Sequence, residues 1–342
     1  MRLWIKIGVT TVVALLLALS LVPPLYAQNK PLTKVTFSLD FIPLGRFAPW
    51  YAALAEGYFK DEGLDVTIIP GQGTAQVIQA VESGTANIGL IDVPSLILAR
   101  SNGSTIKMVA VNYQKAPYAI FSLSTGANVT QPKQMEGLTL GSGTGSFTPK
   151  IFKGFMAQKG LDPNKLNIAN IAPPARASAL LSKQVPAIEF FIMSKPGLEA
   201  GAKTAGAQLG TLLPSDEGLN LYSNGIAATE DYLTKNTDVV KRFVRAALKG
   251  WKFTIDNPRK AAEDEIKYVP SLHLDGILAE IPIVLDLAVT PEVKSKGLGY
   301  FDPAKMKATL DFAVKYIGIS GTVPAATDLY AMGFLPTPPI KP

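Results

Sequence analysis

The sequence predicts an α/β protein built as two lobes, each a sheet flanked by helices. Three observations carry this reading. Short β-rich runs alternate with helical stretches from Leu32 onward, glycines close the helices while prolines open them, and a polar stretch from Thr125 to Gln131 divides the chain into two such blocks. At 342 residues and 47% hydrophobic content, the chain is long enough to bury a sizeable core.

In the first block, Val35 to Leu39 reads as a strand, and a loop with Pro43, Gly45 and Pro49 opens a helix from Trp50 to Glu62, stopped by Gly63. Leu64 to Ile69 is a second strand, Gly71 to Thr74 a glycine-rich turn and Ala75 to Glu82 a helix. Ala86 to Ile91 follows as a strand, Pro94 to Arg100 as a helix, and Ile106 to Val111 and Tyr118 to Leu123 close the block as strands. The expected sheet is largely parallel. In the second block, Leu138 to Gly141, Leu166 to Ile171 and Val185 to Ile192 read as strands, with helices over Phe147 to Lys159 and Ala175 to Lys183. Sequence from there to Leu221 is glycine-rich and weakly patterned. Beyond it, Val239, Val240, Phe243, Ala246, Ala247, Trp251 and Ile255 recur at helical spacing until Asn257-Pro258 ends the pattern. From Pro270 the tail mixes helix with proline-rich loops.

Composition excludes several kinds of chemistry. Cysteine is absent, which removes disulfides, thiolate metal sites and a cysteine nucleophile, and a single histidine, His273, removes any metal site that needs two. The 33 Lys+Arg and 27 Asp+Glu are scattered, so the formal charge of +6 forms no basic block and argues against a nucleic-acid partner. At the N-terminus, Arg2 and Lys6 precede an uncharged apolar run from Ile7 to Val22, then Pro23-Pro24 and Ala27. That is the layout of a secretory signal peptide over 1–27, with a retained membrane anchor as the alternative.

One stretch is more specific than the pattern. The run from Asp40 to Val66, with its core Ala53-x-x-x-Gly57-Tyr58-Phe59-x-x-Glu62-Gly63-Leu64-Asp65-Val66, resembles the opening of the NMT1/THI5-like solute-binding proteins of ABC transporters. Gln79 to Gly89, Arg242 to Trp251 and Asn257-Pro258 extend the resemblance. It implies a type II periplasmic-binding fold whose two lobes are joined by a two-stranded hinge: lobe 1 over 28–123, lobe 2 over 124–222, and a return to lobe 1 over 223–342. The crossings are expected near Leu123 and at Tyr222 to Asn224. Two departures stand out. Arg46-Phe47 occupies the place where the thiamine-pyrimidine branch carries a histidine, and Lys183-Gln184-Val185-Pro186-Ala187 replaces the family's Gly-x-Val-Asp-Ala.

In open α/β sheets, ligands sit outside the carboxyl ends of the strands. The first loop offers Asp40, Phe41, Arg46, Phe47, Trp50 and Tyr51: aromatics to stack on a planar solute and a guanidinium to pair with an anion, although Trp50 and Tyr51 would equally pack the core. Gly73 and Thr74 place backbone donors at a helix start, or form an ordinary turn. Gly143, Thr144, Gly145, Ser146 and Phe147 make a stronger cradle for an anionic or polar group. Asp92 either accepts from a ligand or caps the helix near Pro94. Glu189, in an apolar strand, either faces the cleft or is buried against Arg or Lys. Tyr113 and Tyr222 flank the crossings, lining the cleft or filling the core.

The resemblance therefore implies a monomeric periplasmic receptor, without cofactor or metal, for a small, planar, partly anionic molecule. Its partners would be that molecule and an inner-membrane ABC permease. The alternative is a secreted enzyme on the same fold. The eukaryotic THI5 branch makes thiamine pyrimidine with a Cys-rich motif, which this chain lacks.

Overall fold

A computed structural model describes residues 31–143 and 146–342. The expected signal segment, 1–27, and the loop residues Thr144 and Gly145 lie outside the described residues. In chain order the strands are β1 (Thr33–Ser38), β2 (Leu64–Ile69), β3 (Ile88–Asp92), β4 (Ile106–Val111), β5 (Tyr118–Leu123), β6 (Thr139–Ser142), β7 (Asn167–Asn170), β8 (Ala187–Phe191), β9 (Leu209–Leu212) and β10 (Asn224–Thr229). They form two five-stranded sheets, ordered β2-β1-β3-β10-β4 and β7-β6-β8-β5-β9.

Burial follows position in the sheet. Edge strand β2 alternates, with Leu64 and Val66 inside and Asp65 and Thr67 outside, whereas the interior strand β3 is buried at every residue. Gly89 lets the Thr74–Glu82 helix lie close on β3, since a Cβ there would sit 2.8 Å from Val77 and 2.9 Å from Val81. Each sheet is mixed: four of its five strands run the same way, in line with the sequence expectation, and one, β10 in the first sheet and β5 in the second, runs against its two neighbours. β1 pairs β2 and β3 in parallel and β6 pairs β7 and β8 in parallel, but β10 runs antiparallel to β3 and β4, and β5 antiparallel to β8 and β9.

The chain leaves the first sheet after β4 and enters the second at β5, so the first crossing spans Asn112 to Pro117 rather than lying near Leu123. Tyr118–Leu123 is buried along its whole length, and a strand apolar on both faces carries no periodicity that says which sheet it joins. The return runs from β9 through Leu213 to Ser223 into β10. The two crossings are hydrogen-bonded together: Asn112 and Tyr113 amides donate to the Asn224 carbonyl at 2.9 and 3.0 Å, and the Ser223 amide to the Tyr113 carbonyl at 3.2 Å. This is a two-stranded hinge.

The segment after β10 completes the first lobe. The Thr237–Asp256 helix buries Val240, Phe243, Val244, Ala247 and Trp251 on one face, and packs on the short Ala48–Ala55 helix. Their approach depends on Gly250, where a Cβ would meet the Pro49 carbonyl at 2.3 Å. Later, Phe312 joins the core of the second lobe and lies against Gly154 of the Thr148–Gln158 helix, so the C-terminal region also touches both lobes. Among the described residues no helix is long and apolar enough to cross a membrane.

Candidate functional site

The carboxyl ends of β1 and β3 in one sheet and of β8 in the other border a shared cavity of about 40 Å³. From the first lobe it receives Asp40, Phe41, Leu44 and Arg46, then Gly73 and Thr74 at a helix start, and Asp92 and Ser95 at another. The second lobe contributes Tyr118, the helix start Ser146 to Thr148, Arg176, the β8 residues Glu189 to Phe191, and Ser194. The loop carrying Phe41 is held by Gly71, whose amide donates to the Phe41 carbonyl at 3.2 Å and whose place would put a Cβ 2.3 Å from the Leu39 carbonyl.

Two guanidinium–carboxylate pairs dominate the cavity, one from each lobe. Arg46 Nη2 donates to both oxygens of Asp40 at 2.9 and 2.8 Å, and Asn224 Nδ2 donates to Asp40 Oδ2 at 3.0 Å. Across the cleft, Arg176 Nη1 lies 3.1 Å from Glu189 Oε1, and Ser142 Oγ donates to the same oxygen at 2.6 Å. Both arginines are 2% exposed. Charges buried this deeply persist only when paired, so each lobe carries its own neutralised charge into the cleft.

Aromatic rings interlock the two pairs. Phe41 of the first lobe meets Phe190 of the second edge to face, with centroids 5.9 Å apart. The Arg46 guanidinium lies 4.2 Å from the Phe47 ring centre and 4.9 Å from that of Phe191, and Arg176 lies 5.7 Å from both Phe41 and Phe190. Each guanidinium thus stacks on a ring from the opposite lobe.

Asp92 occupies the helix N-cap position, but its side chain makes no capping bond. It accepts instead from the Tyr118 hydroxyl of the second lobe at 2.8 Å. Burial pushes its carboxyl up to about 6, against the opposing effect of neighbouring hydroxyls. Because the folded chain then holds a proton that the unfolded chain releases near pH 4, stability from the protonated form is complete below about pH 4 and lost as pH rises through about 6. Thermal melts between pH 4 and 7 should therefore fall less steeply in Asp92→Asn than in the wild type. Parallel curves would place the titration elsewhere.

Of the residues nominated from sequence, Asp40, Phe41, Arg46, Gly73, Thr74, Asp92, Ser146, Phe147 and Glu189 line the cavity. Glu189 realises both alternatives, facing the cleft and paired with Arg176. Phe47, Trp50, Tyr51, Tyr113 and Tyr222 do not line the cavity, and all five are buried. The Ala48–Ala55 helix turns Trp50 toward Phe37 and Trp251, at 4.9 and 6.0 Å, and Tyr51 onto Tyr268 at 5.7 Å. Phe47 backs Arg46, Tyr113 packs edge-on to Trp251 at 6.1 Å, and the Tyr222 hydroxyl accepts from the Asp302 amide at 2.8 Å. Gly143 does not line the cavity but abuts Arg176.

Sequence reasoning missed Arg176, Tyr118, Phe190, Phe191, Thr148, Ser95, Ser194 and Leu44. The signal for Arg176 was present. It is a lone charge in Pro173-Pro174-Ala175-Arg176-Ala177, just beyond the carboxyl end of β7, where the strand-end rule applies. Among the described residues no group of three His, Cys, Asp or Glu is placed to hold a metal, and His273 is exposed outside the cavity.

Comparison with known proteins adds four findings. The sequence profile of the NMT1/THI5-like family matches residues 45–261. A riboflavin-binding protein of Chloroflexus aurantiacus is 27% identical over 293 residues, covering 82% of this chain and 80% of the relative. A formylaminopyrimidine-binding protein of Halalkalibacterium halodurans is 27% identical over 237 residues, covering 69% and 70%. Among solved structures, the alkanesulfonate-binding protein of Xanthomonas axonopodis pv. citri bound to MOPS shares the fold with a TM-score of 0.67 at 15% identity, over 89% of this chain and all of that one.

Proposed function

The chain belongs to the NMT1/THI5-like family, and from that premise we propose that it is an exported, monomeric solute receptor. It closes two lobes over a planar ring of no net charge and delivers it to an ABC permease. The observation that carries this reading is the charge balance of the cavity. Arg46 is matched by Asp40 and Arg176 by Glu189, and Asp92 adds a further carboxyl. A sulfonate or carboxylate would bring a negative charge among three carboxyl groups where the charge of each guanidinium is already matched by a carboxylate. A neutral heterocycle brings none, and the rings of Phe41, Phe190 and Phe191 supply the stacking surface. This departs from the sequence expectation of a partly anionic solute. The riboflavin-binding and formylaminopyrimidine-binding relatives support a ring of this kind.

A cavity of about 40 Å³ has room for a few water molecules at most. Admitting a ring therefore requires Phe41 and Phe190 to separate, with the lobes pivoting on the paired crossings. Binding energy gathered from both lobes would then drive closure. The competing reading, a secreted enzyme, is supported less: the chain has no cysteine, and its one histidine is exposed outside the cavity.

Calorimetric titration of the purified protein with riboflavin, uracil, 4-aminopyrimidine and methanesulfonate tests the proposal. Saturable binding of a ring compound, unconsumed afterwards, is the expected result. Binding of methanesulfonate with no response to any ring would overturn it, and so would turnover of the ring.

A further inference from the structure

We propose that Arg176 is the solute-reading residue of the second lobe, its Nη2–H donating to a carbonyl or ring-nitrogen acceptor on the bound ring, and that Gly143 positions it. This rests on the receptor reading above and specifies how that receptor recognises its solute.

Arg176 is held through two of its three guanidinium nitrogens. Its Nε donates to the Ile171 carbonyl at 3.1 Å, its Nη1 lies 3.1 Å from Glu189 Oε1, and Glu189 is itself fixed by Ser142. These bonds settle the orientation of the guanidinium plane. They leave Nη2, which has no hydrogen-bond partner among the described residues although it is buried. An unpaired N–H on a buried cation is costly and uncommon, and burial already pulls the pKa of Arg176 down. A partner supplied from the cavity, which Arg176 lines, would remove that cost.

Gly143 explains why this edge stays open. A Cβ there would lie 2.8 Å from Nη2, so any larger residue would displace the guanidinium or cover its free edge. The guanidinium also lies 5.7 Å from the ring of Phe41 in the other lobe, which sets it where the lobes meet. Its geometry suits a planar acceptor: the fork satisfies Glu189 through one edge and reads the solute through the other. A lysine ammonium, a single point charge, cannot serve both in fixed directions.

Fluorescence titration with riboflavin and calorimetry with uracil on four proteins test the proposal: wild type, Arg176→Lys, the pair Arg176→Gln with Glu189→Gln, and Gly143→Ala. Arg176→Lys keeps the charge facing Glu189 and should lose tenfold or more in affinity. The paired variant removes both charges together, so it should melt within a few degrees of wild type and still lose tenfold or more. Gly143→Ala should lose several-fold. Wild-type affinity in either Arg176 variant would overturn the recognition role, and wild-type affinity in Gly143→Ala the positioning role. Failure of the wild-type protein to bind either probe would overturn the receptor reading for such rings, and this proposal with it.

Discussion

Trp50→Ala is expected to lower the free energy of unfolding by about 3 to 5 kcal/mol, the usual cost of deleting a large buried aromatic. The indole is fully buried, 4.9 Å from Phe37 beneath it on β1 and 6.0 Å from Trp251 on the Thr237–Asp256 helix. These neighbours belong to an extended core, and a helix whose close approach already depends on Gly250 cannot simply collapse into the space. For a chain whose total stability falls within about 5 to 15 kcal/mol, such a loss is large. Urea unfolding followed by circular dichroism measures it. Riboflavin or uracil affinity, measured where the variant is still folded, should stay within about threefold of wild type. Lost affinity at unchanged stability would return Trp50 to the site.

That prediction also shows where the sequence was legible. Counting aromatics after a strand identified the right neighbourhood, since Phe41 and Arg46 do face the cavity. It could not say which side of the following helix meets solvent, because the partner that buries Trp50 is Trp251, two hundred residues away in sequence. The long helix itself was legible because its apolar face repeats at helical spacing. β10 was not. Asn224-Gly225-Ile226-Ala227-Ala228-Thr229 has little β-branched character, because the strand inserts between β3 and β4 where bulk is excluded. A Cβ at Gly225 would lie 2.1 Å from the Ala110 carbonyl. Tight packing thus selected small residues and removed the pattern by which a strand is recognised. Arg176 escaped for a different reason: the strand-end rule, applied after β1, β2, β3 and β6, was not carried to β7, the short exposed strand at the edge of its sheet.

Arg46→Leu should also cost about 3 to 5 kcal/mol, but through charge rather than volume. The substitution leaves the Asp40 carboxylate buried with only Asn224 Nδ2, at 3.0 Å, to hydrogen-bond it. It also withdraws a cation from Glu280, whose Oε2 accepts the Arg46 amide at 3.0 Å and whose carboxyl burial already pushes up to about 7 against the pull of Arg46. The backbone bond survives the substitution; the electrostatic compensation does not. Adding Asp40→Asn to Arg46→Leu removes the stranded charge and should recover most of the loss, because replacing both members of a buried pair is often near neutral. Urea unfolding of the single and double variants separates this from a packing defect, which the second substitution would not repair. A single variant within about 1 kcal/mol of wild type, the scale of an exposed pair, would show that the Arg46–Asp40 charges are solvated in solution. Affinity for a ring probe should stay reduced in both variants, because Arg46 also stacks on Phe191 across the cleft at 4.9 Å, a contact between lobes that neither restores.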